Sequence, residues 1–378
     1  MNGRRYFVKA QDGATVTYDL YQPIERHSTN EDVTMALCPG ICNSSESVYI
    51  RRVVYHAQLQ GFRVAVLNHI GALKKVAITS PRIFNYGNTS DYGLMVSEIL
   101  KRFPSTKVIC VGFSMGANLV TKFLGEEKRS SNVIAGISIC QGYDAKETTK
   151  YLLDWEGFRR FYFFIMTENI RSILRRWQQQ LFTEEVKQKY EINDRAIWSA
   201  GTLVELDEAY TRRIGGYSNL DEFYRKSSCT SVWNNIKIPM VFVNAVDDPI
   251  VPPKLLQFVR KAAGTKDNFM YVEQKYGGHL GFYEGGLIYP NSLTWLDRLV
   301  CQLSDALVIY SSDVKGEMKL EPPEADRQTS FSDSEASSIP DEMTTKKFNS
   351  RPSYVCRRRT ISGPQHNGSW SINQGCVE

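Results

Sequence analysis

Residues 107–124, KVICVGFSMGANLVTKFL, join a strand pattern to a helix pattern through one tight turn. The apolar run Lys107–Phe113 is typical of a buried β-strand, and Met115–Leu124 continues with the composition of a helix. Between them stands Gly112-Phe113-Ser114-Met115-Gly116, a G-x-S-x-G pentapeptide. The pentapeptide alone is weakly specific, but a strand before it and a helix after it are the context of an exposed serine nucleophile. The stretch therefore predicts a strained turn that holds Ser114 above the carboxyl ends of a sheet.

Strand-like and helix-like runs alternate on both sides of this turn. The predicted strands are 33–38, 62–67, 107–113, 133–140, 238–243 and 269–272, and the predicted helices are 45–60, 89–103, 115–124, 253–263 and 292–310. Residues 5–21 alternate with a period near two around Asp12-Gly13, which predicts a β-hairpin before the first of these strands. Apolar strands that alternate with amphipathic helices favour an α/β fold, a mainly parallel sheet with helices on both faces.

The alternation stops at residues 142–237, which are helix-rich, aromatic and basic and lack strand-like runs. We therefore predict an α/β core formed by residues 1–141 and 238–310, with 142–237 inserted as a helical lid. Residues 311–378 are rich in serine, proline, threonine and charged side chains, which predicts a disordered tail. Within it, three arginines precede Thr360 and Ser362 and resemble a substrate for basophilic kinases, although a solubilising tail is the favoured interpretation.

The composition excludes several classes of protein. A net charge of +5 and a pI of about 8.6 are too mild to indicate nucleic-acid binding. No apolar stretch reaches the roughly 18 residues of a membrane span, and no apolar segment of a signal peptide follows the basic start. The eight cysteines are too thinly spread for a disulfide framework, and Cys38 and Cys42 lack the second ligand pair of a zinc site. We expect a globular protein without a metal centre.

A serine nucleophile needs a histidine base, and the histidine needs an acid that orients it. In the α/β-hydrolase fold these residues follow in the order serine, acid, histidine. Of five histidines, three precede Ser114 and one lies in the predicted tail, which leaves His279 in the glycine-flanked stretch 277–281, GGHLG. The acid is predicted in the turn after strand 238–243. Asp248 is favoured there, and Asp247 is the alternative, whose other role would be to cap the turn.

Two backbone N–H groups are also required, because they stabilise the oxyanion that develops on the substrate. One is predicted at Met115, directly after the nucleophile, and the other at Ile41, within the stretch 39–43 after an earlier strand. Cys42 lies in the same stretch, but no histidine is suitably placed to activate it. Ser114 therefore remains the predicted nucleophile.

The stretches around these residues resemble one known family. They are CPGICNSSESVYIRR (38–52), VLNHIGAL (66–73), TSPRIFNYG (79–87), VGFSMGANLV (111–120), SICQGY (138–143), VNAVDDP (243–249) and GGHLGFYEGG (277–286). Together they look like the abhydrolase-domain-containing type 2 branch of the α/β hydrolases, a monoacylglycerol lipase branch. The similarity extends from about Lys9 to Cys301 and so covers the whole predicted core and lid.

This resemblance implies a nucleophile at Ser114, an acid at Asp248 and a base at His279. It implies hydrolysis of the ester bonds of acylglycerols without a metal or an organic cofactor. Relatives of this kind carry an upstream membrane anchor, so we expect a membrane-associated protein, with a cytoplasmic one as the alternative. The start of this chain then resembles a truncated or alternatively started member. Vertebrate relatives are also linked to steroid-dependent regulation.

The predicted lid suits a lipid substrate. Residues 155–182 interleave aromatic side chains with five arginines, a pattern that favours an interfacial helix lying on an anionic membrane surface and covering an acyl pocket. The alternative is that these aromatics form the core between the lid and the sheet. Two other functions stay open: a lipid- or steroid-binding regulatory protein on the same fold, and an acyltransferase. A complete Ser-Asp-His set favours the hydrolase.

Overall fold

The computed structural model describes residues 3–126, 130–151, 153–154, 158–286 and 289–320 of the chain. Its centre is an eight-stranded sheet in the order β1-β2-β4-β3-β5-β6-β7-β8. The strands are β1 (Gly3–Lys9), β2 (Thr15–Tyr21), β3 (Val33–Cys38), β4 (Arg63–Asn68), β5 (Lys107–Phe113), β6 (Val133–Ile139), β7 (Met240–Ala245) and β8 (Phe269–Gln274). Only β2 pairs antiparallel, with β1 and with β4, and every pairing from β4 to β8 is parallel. The predicted mainly parallel sheet is confirmed.

Helices cover both faces of this sheet, because alternate residues of each buried strand point to opposite sides. The helices of the core are α1 (Val48–Leu59), α2 (Ser90–Arg102), α3 (Met115–Gly125), α12 (Pro253–Ala263) and α13 (Trp295–Leu320). In β5, Val108 packs into the apolar cluster that contains residues of α2, α3 and α12, whereas Ile109 packs into the cluster that contains residues of α1 and α13. A central strand that is apolar on both faces is thereby buried from both sides.

The insertion between β6 and β7 consists of one long helix and several short helical segments. They are α4 (Ala145–Thr149), α5 (Arg159–Arg176), α6 (Gln178–Leu181), α7 (Glu184–Tyr190), α8 (Asp194–Ser199), α9 (Leu203–Leu206), a π-helical turn (Asp207–Thr211), α10 (Arg212–Ile214), α11 (Leu220–Ser227) and two 3₁₀-helical turns (Cys229–Ser231 and Trp233–Asn235). Several begin where a side-chain oxygen accepts a hydrogen bond from the backbone N–H three residues later, as Asp144, Thr183, Asn193, Thr202 and Asn219 do. The insertion contains no strand within its described residues.

Several predicted boundaries were wrong, among them the start of β7, the start of α1 and both ends of α13. Strand β7 begins at Met240 rather than at 238, because Pro239 has no backbone N–H to donate to the sheet. Helix α1 begins at Val48 rather than at 45, because Ser45 lies in the preceding turn and donates its hydroxyl to the carboxylate of Asp19, at 2.6 Å. Helix α13 continues past Tyr310 to Leu320.

The extension of α13 corrects the predicted start of the tail at residue 311. No proline stands between Trp295 and Leu320 to interrupt the helical hydrogen bonds. The Ser312 hydroxyl also anchors this part of the helix, since it accepts from Lys107 Nζ at 2.8 Å and contacts Glu31 Oε1 at 3.1 Å. The remainder of the predicted tail, including Thr360 and Ser362, lies outside the described residues. Among the helices that are described, none is both long and apolar enough to cross a bilayer.

Candidate active site

Ser114 occupies the turn between β5 and α3 with φ 53° and ψ −120°. This backbone conformation is strained for a residue with a side chain, and it is stabilised here by the Ser114 amide, which donates to Ile139 O at 2.8 Å. A Cβ at Gly112 would lie 2.4 Å from Gly116 O, and a Cβ at Gly116 would lie 2.1 Å from Cys38 O. Both glycines of the pentapeptide are therefore needed because backbone atoms occupy the space of a side chain.

The structure brings the three candidate catalytic side chains together. His279 Nε2 lies 2.8 Å from Ser114 Oγ, and His279 Nδ1 lies 2.8 Å from Asp248 Oδ2. Because an ionised carboxylate can only accept, Nδ1 carries the proton, and Nε2 is left to accept the Ser114 hydroxyl proton. The Asp248 side chain is fully buried and that of His279 is 15% exposed. This is the arrangement in which a serine hydroxyl is activated for attack on a carbonyl carbon.

The two neighbouring aspartates of the turn after β7 have different partners. Asp248 Oδ1 accepts hydrogen bonds from the backbone N–H groups of Ile250 and Val251, at 2.8 and 3.0 Å, while its other oxygen contacts His279. Asp247 Oδ1 instead accepts from the N–H groups of Gly277 and Gly278, at 2.9 and 2.8 Å. Asp248 is thus the aspartate in contact with the imidazole, whereas Asp247 holds the backbone of the loop that carries His279.

The stretch 39–43 passes directly beside Ser114, since a Cβ at Gly40 would lie 3.4 Å from Ser114 Cβ. In the part of the chain that the structure describes, the amides of Ile41 and Met115 donate to no protein acceptor. Both residues line the cavity that Ser114 borders. Two unused N–H groups beside a candidate nucleophile are what stabilisation of an oxyanion requires.

Two residues that the sequence analysis did not select support this stretch. Tyr49 OH accepts the Gly40 N–H at 2.8 Å, and His69 Nε2 lies 2.8 Å from Pro39 O. His69 is buried, and that burial lowers its pKa, so its neutral ring donates to the carbonyl. The order of residues along the chain excluded His69 as a base but carried no signal for this supporting role.

Cysteines near the site are protonated thiols. Burial raises the pKa of Cys42 to about 12 and raises that of Cys140 well above its ordinary value. Cys140 Sγ, a carboxylate oxygen of Asp248 and a ring nitrogen of His279 lie within 4.8 Å of one another, a set that could in principle hold a metal ion. A protonated thiol is a poor ligand, and the other two side chains are hydrogen-bonded to each other, so the donor set does not fit a metal well.

A cavity of about 140 Å³ opens beside Ser114 and His279, between the sheet and the insertion. Much of its wall is apolar, formed by Ile83, Phe84, Phe163, Met166, Ile170 and Leu203. Asp207, Thr211 and Tyr224 supply a polar part of the wall. A largely apolar wall with a few polar groups is typical of a site for a small ligand that is mainly apolar.

Known proteins resemble this chain in sequence and in fold. Residues 33–286 match the model of the α/β hydrolase fold family. Abhydrolase domain-containing protein 2 of Drosophila melanogaster is 51% identical over 81% of this chain and 77% of its own length, and monoacylglycerol lipase ABHD2 of Homo sapiens is 41% identical over 81% and 73%. Phospholipase ABHD3 of Homo sapiens is 25% identical over 82% and 74%.

A solved structure shares the fold at low sequence identity. The α/β hydrolase GrgF from Penicillium sp. sh18 is 14% identical, with a TM-score of 0.50, and the match covers 82% of this chain and 100% of that one. The strand order, the serine turn and the sequence similarity agree. The chain belongs to the α/β hydrolase family and, within it, to the branch of abhydrolase domain-containing protein 2.

Proposed function

We propose that this serine ester hydrolase cleaves the carboxylic ester bonds of acylglycerols, with Ser114 as nucleophile, His279 as base and Asp248 as orienting acid. The observation that carries the proposal is the hydrogen-bonded chain from Ser114 Oγ through His279 to Asp248, beside a largely apolar cavity. The name of the human relative, monoacylglycerol lipase, supports the choice of substrate.

In the proposed mechanism, Ser114 Oγ attacks the ester carbonyl carbon as its proton passes to His279 Nε2. Asp248 stabilises the resulting imidazolium, and the N–H groups of Ile41 and Met115 stabilise the negative charge on the carbonyl oxygen. The tetrahedral intermediate collapses, and the leaving glycerol oxygen takes the proton from His279. Water then attacks the acyl-serine by the same route, which releases a fatty acid and restores the Ser114 hydroxyl.

A screen of purified protein against mono-, di- and triacylglycerols of one fatty acid tests this proposal, with fluorophosphonate-inhibited protein as the blank. We expect release of free fatty acid, fastest from the monoacylglycerol. Saturable lipid or steroid binding without turnover would instead support the regulatory alternative. Formation of a new ester when an alcohol acceptor is added, in place of free acid, would support the acyltransferase alternative.

Isosteric replacement of the two aspartates separates their roles. Asn at 248 presents an NH₂ group to Nδ1 and forces the proton onto Nε2, so Asp248→Asn is expected to lower kcat on a soluble nitrophenyl ester by about 10⁴-fold. Asp247→Asn keeps an oxygen that accepts from Gly277 and Gly278, and we expect a loss below about tenfold. Equal losses in the two variants would contradict the assignment of the acid to Asp248.

We further propose that α5 rests on a membrane surface. Phe163, Met166 and Ile170, on one face of this helix, line the cavity. A second apolar face of α5, with exposed fractions of 56% at Phe161, 39% at Tyr162 and 40% at Ile165, has the three- and four-residue spacing of one side of a helix. Phe158, 75% exposed, directly precedes the first turn. Exposed Arg175 and Arg176 lie at the other end of α5 and would meet anionic head groups.

Polar substitution of this exposed face should weaken membrane binding and leave the chemistry intact. For Phe161→Ser combined with Ile165→Ser, we expect the affinity for phosphatidylcholine–phosphatidylserine vesicles, measured by co-sedimentation, to fall about tenfold. The reason is that two apolar side chains would no longer insert into the bilayer. Hydrolysis of a short-chain nitrophenyl ester should be unchanged. Phe7→Ser, which changes an exposed aromatic of β1, is the control. Vesicle binding that equals the control would contradict the membrane contact.

A further inference from the structure

The insertion places a carboxylate in the wall of the apolar cavity. Asp207 and Thr211 are the first and last residues of the π-helical turn between α9 and α10, and both line the cavity that Ser114 borders. A π-helical turn is uncommon and less favourable than an α-helical one, and it occurs frequently at functional sites. The side chains at its two ends border the same cavity.

Among the residues that the structure describes, Asp207 has hydroxyl partners and no cationic partner. Tyr224 OH donates to Asp207 Oδ2 at 3.1 Å, and the Thr211 hydroxyl also lies against the carboxylate. Burial raises the pKa of Asp207 to about 6, and among the described residues the carboxylate forms no ion pair. The nearby cations Arg212 and Arg213 contact the adjacent Glu208 instead. An acid in such a place costs folding free energy, and the mechanism above gives it no role.

The hydrogen bonds that Asp207, Thr211 and Tyr224 can still form indicate which kind of ligand would bind beside them. An ionised carboxylate has about four acceptor sites and no donor, so it can accept from two further hydroxyl groups. The Thr211 and Tyr224 hydroxyls can also accept, which suits groups that both donate and accept. Tyr86 OH, on the same cavity, has no hydrogen-bond partner among the described residues and can join them. A negative charge here disfavours phosphate esters and the fatty acid product.

We infer that Asp207, together with Thr211 and Tyr224, binds the two free hydroxyl groups of the glycerol moiety of a monoacylglycerol. The apolar wall formed by α5 then receives the acyl chain, which has no hydroxyl group. This inference rests on the proposed function and deepens it, because it assigns the recognition of the alcohol part of the substrate to the π-helical turn. Preference for a monoacylglycerol follows, since each further acyl group removes a hydroxyl.

The test compares two esters of the same acid, monooleoylglycerol and methyl oleate, presented in the same detergent micelles. Asp207→Asn is expected to lower kcat/KM for monooleoylglycerol about 10- to 100-fold, because hydrogen bonds to a charged group would be lost. The kcat/KM for methyl oleate should change less than about twofold. Thr211→Val should shift the ratio in the same direction by a smaller factor. Glu208→Gln, at the neighbouring acid that pairs with Arg212, is the matched control and should leave the ratio unchanged.

Two results would overturn the inference while ester hydrolysis stands. One is an equal loss on both esters in Asp207→Asn, which would make Asp207 a structural residue. The other is wild-type protein that hydrolyses methyl oleate without any preference for the glycerol ester. If the wild type hydrolyses neither ester, the proposed function itself fails and the inference fails with it.

Discussion

Replacing Ser114 by alanine is expected to abolish labelling by a fluorophosphonate and to lower ester turnover by about 10⁴-fold or more. The hydroxyl is the group that would bond to the acyl carbon, and His279 Nε2, 2.8 Å away, would have no proton to remove. Alanine and serine experience the same strain at φ 53°, so the folded state should persist. Gel fluorescence of the labelled protein and a nitrophenyl ester assay measure the two losses.

The control for this variant addresses Cys42, which belongs to the stretch 39–43 that passes beside Ser114. Cys42→Ala should retain labelling, because burial raises the pKa of Cys42 to about 12 and leaves little thiolate to react at neutral pH. Labelling that survives in Ser114→Ala and disappears in Cys42→Ala would move the nucleophile to Cys42. A melting temperature close to that of the wild type would show that the loss in Ser114→Ala is chemical.

Gly116→Ala is expected to have the largest effect on stability, a loss of about 3 kcal/mol or more in the free energy of unfolding or a failure to accumulate as soluble protein. Its Cβ would lie 2.1 Å from Cys38 O and 2.4 Å from Pro39 O. Both are backbone atoms at the carboxyl end of β3, where the parallel sheet restrains them, so α3 would have to move away. Soluble yield and urea denaturation measure the effect.

Gly93→Ala is the matched control, since Gly93 also lies within a helix, α2. There the added Cβ would lie 3.2 Å from the side chain of Phe123, which can shift, and alanine favours the helix more than glycine does. We expect a change within about 1 kcal/mol. If Gly116→Ala unfolds at the same urea concentration as Gly93→Ala, the close approach of α3 to β3 is not what requires the glycine.

Local patterns account for most of the fold and for part of the candidate site. The bounds of β5 and of α12 were predicted to the residue. This was possible because the signals used, the spacing of apolar residues and the proline that begins α12, depend only on residues close together in the sequence. The serine turn was predicted for the same reason. His279 followed from the order of residues along the chain, and the structure places its ring between Ser114 and Asp248.

The sequence by itself determined the α/β fold, the position of the serine turn and the histidine that faces it. Only the tertiary structure decided which neighbouring aspartate contacts His279, that His69 supports the stretch beside Ser114, and that Asp207 borders the cavity. The physical reason is the distance along the chain over which each kind of interaction acts. Periodicity and turn chemistry act over a few residues, whereas these contacts join side chains from distant parts of the chain, and their direction depends on how the sheet and the insertion pack together.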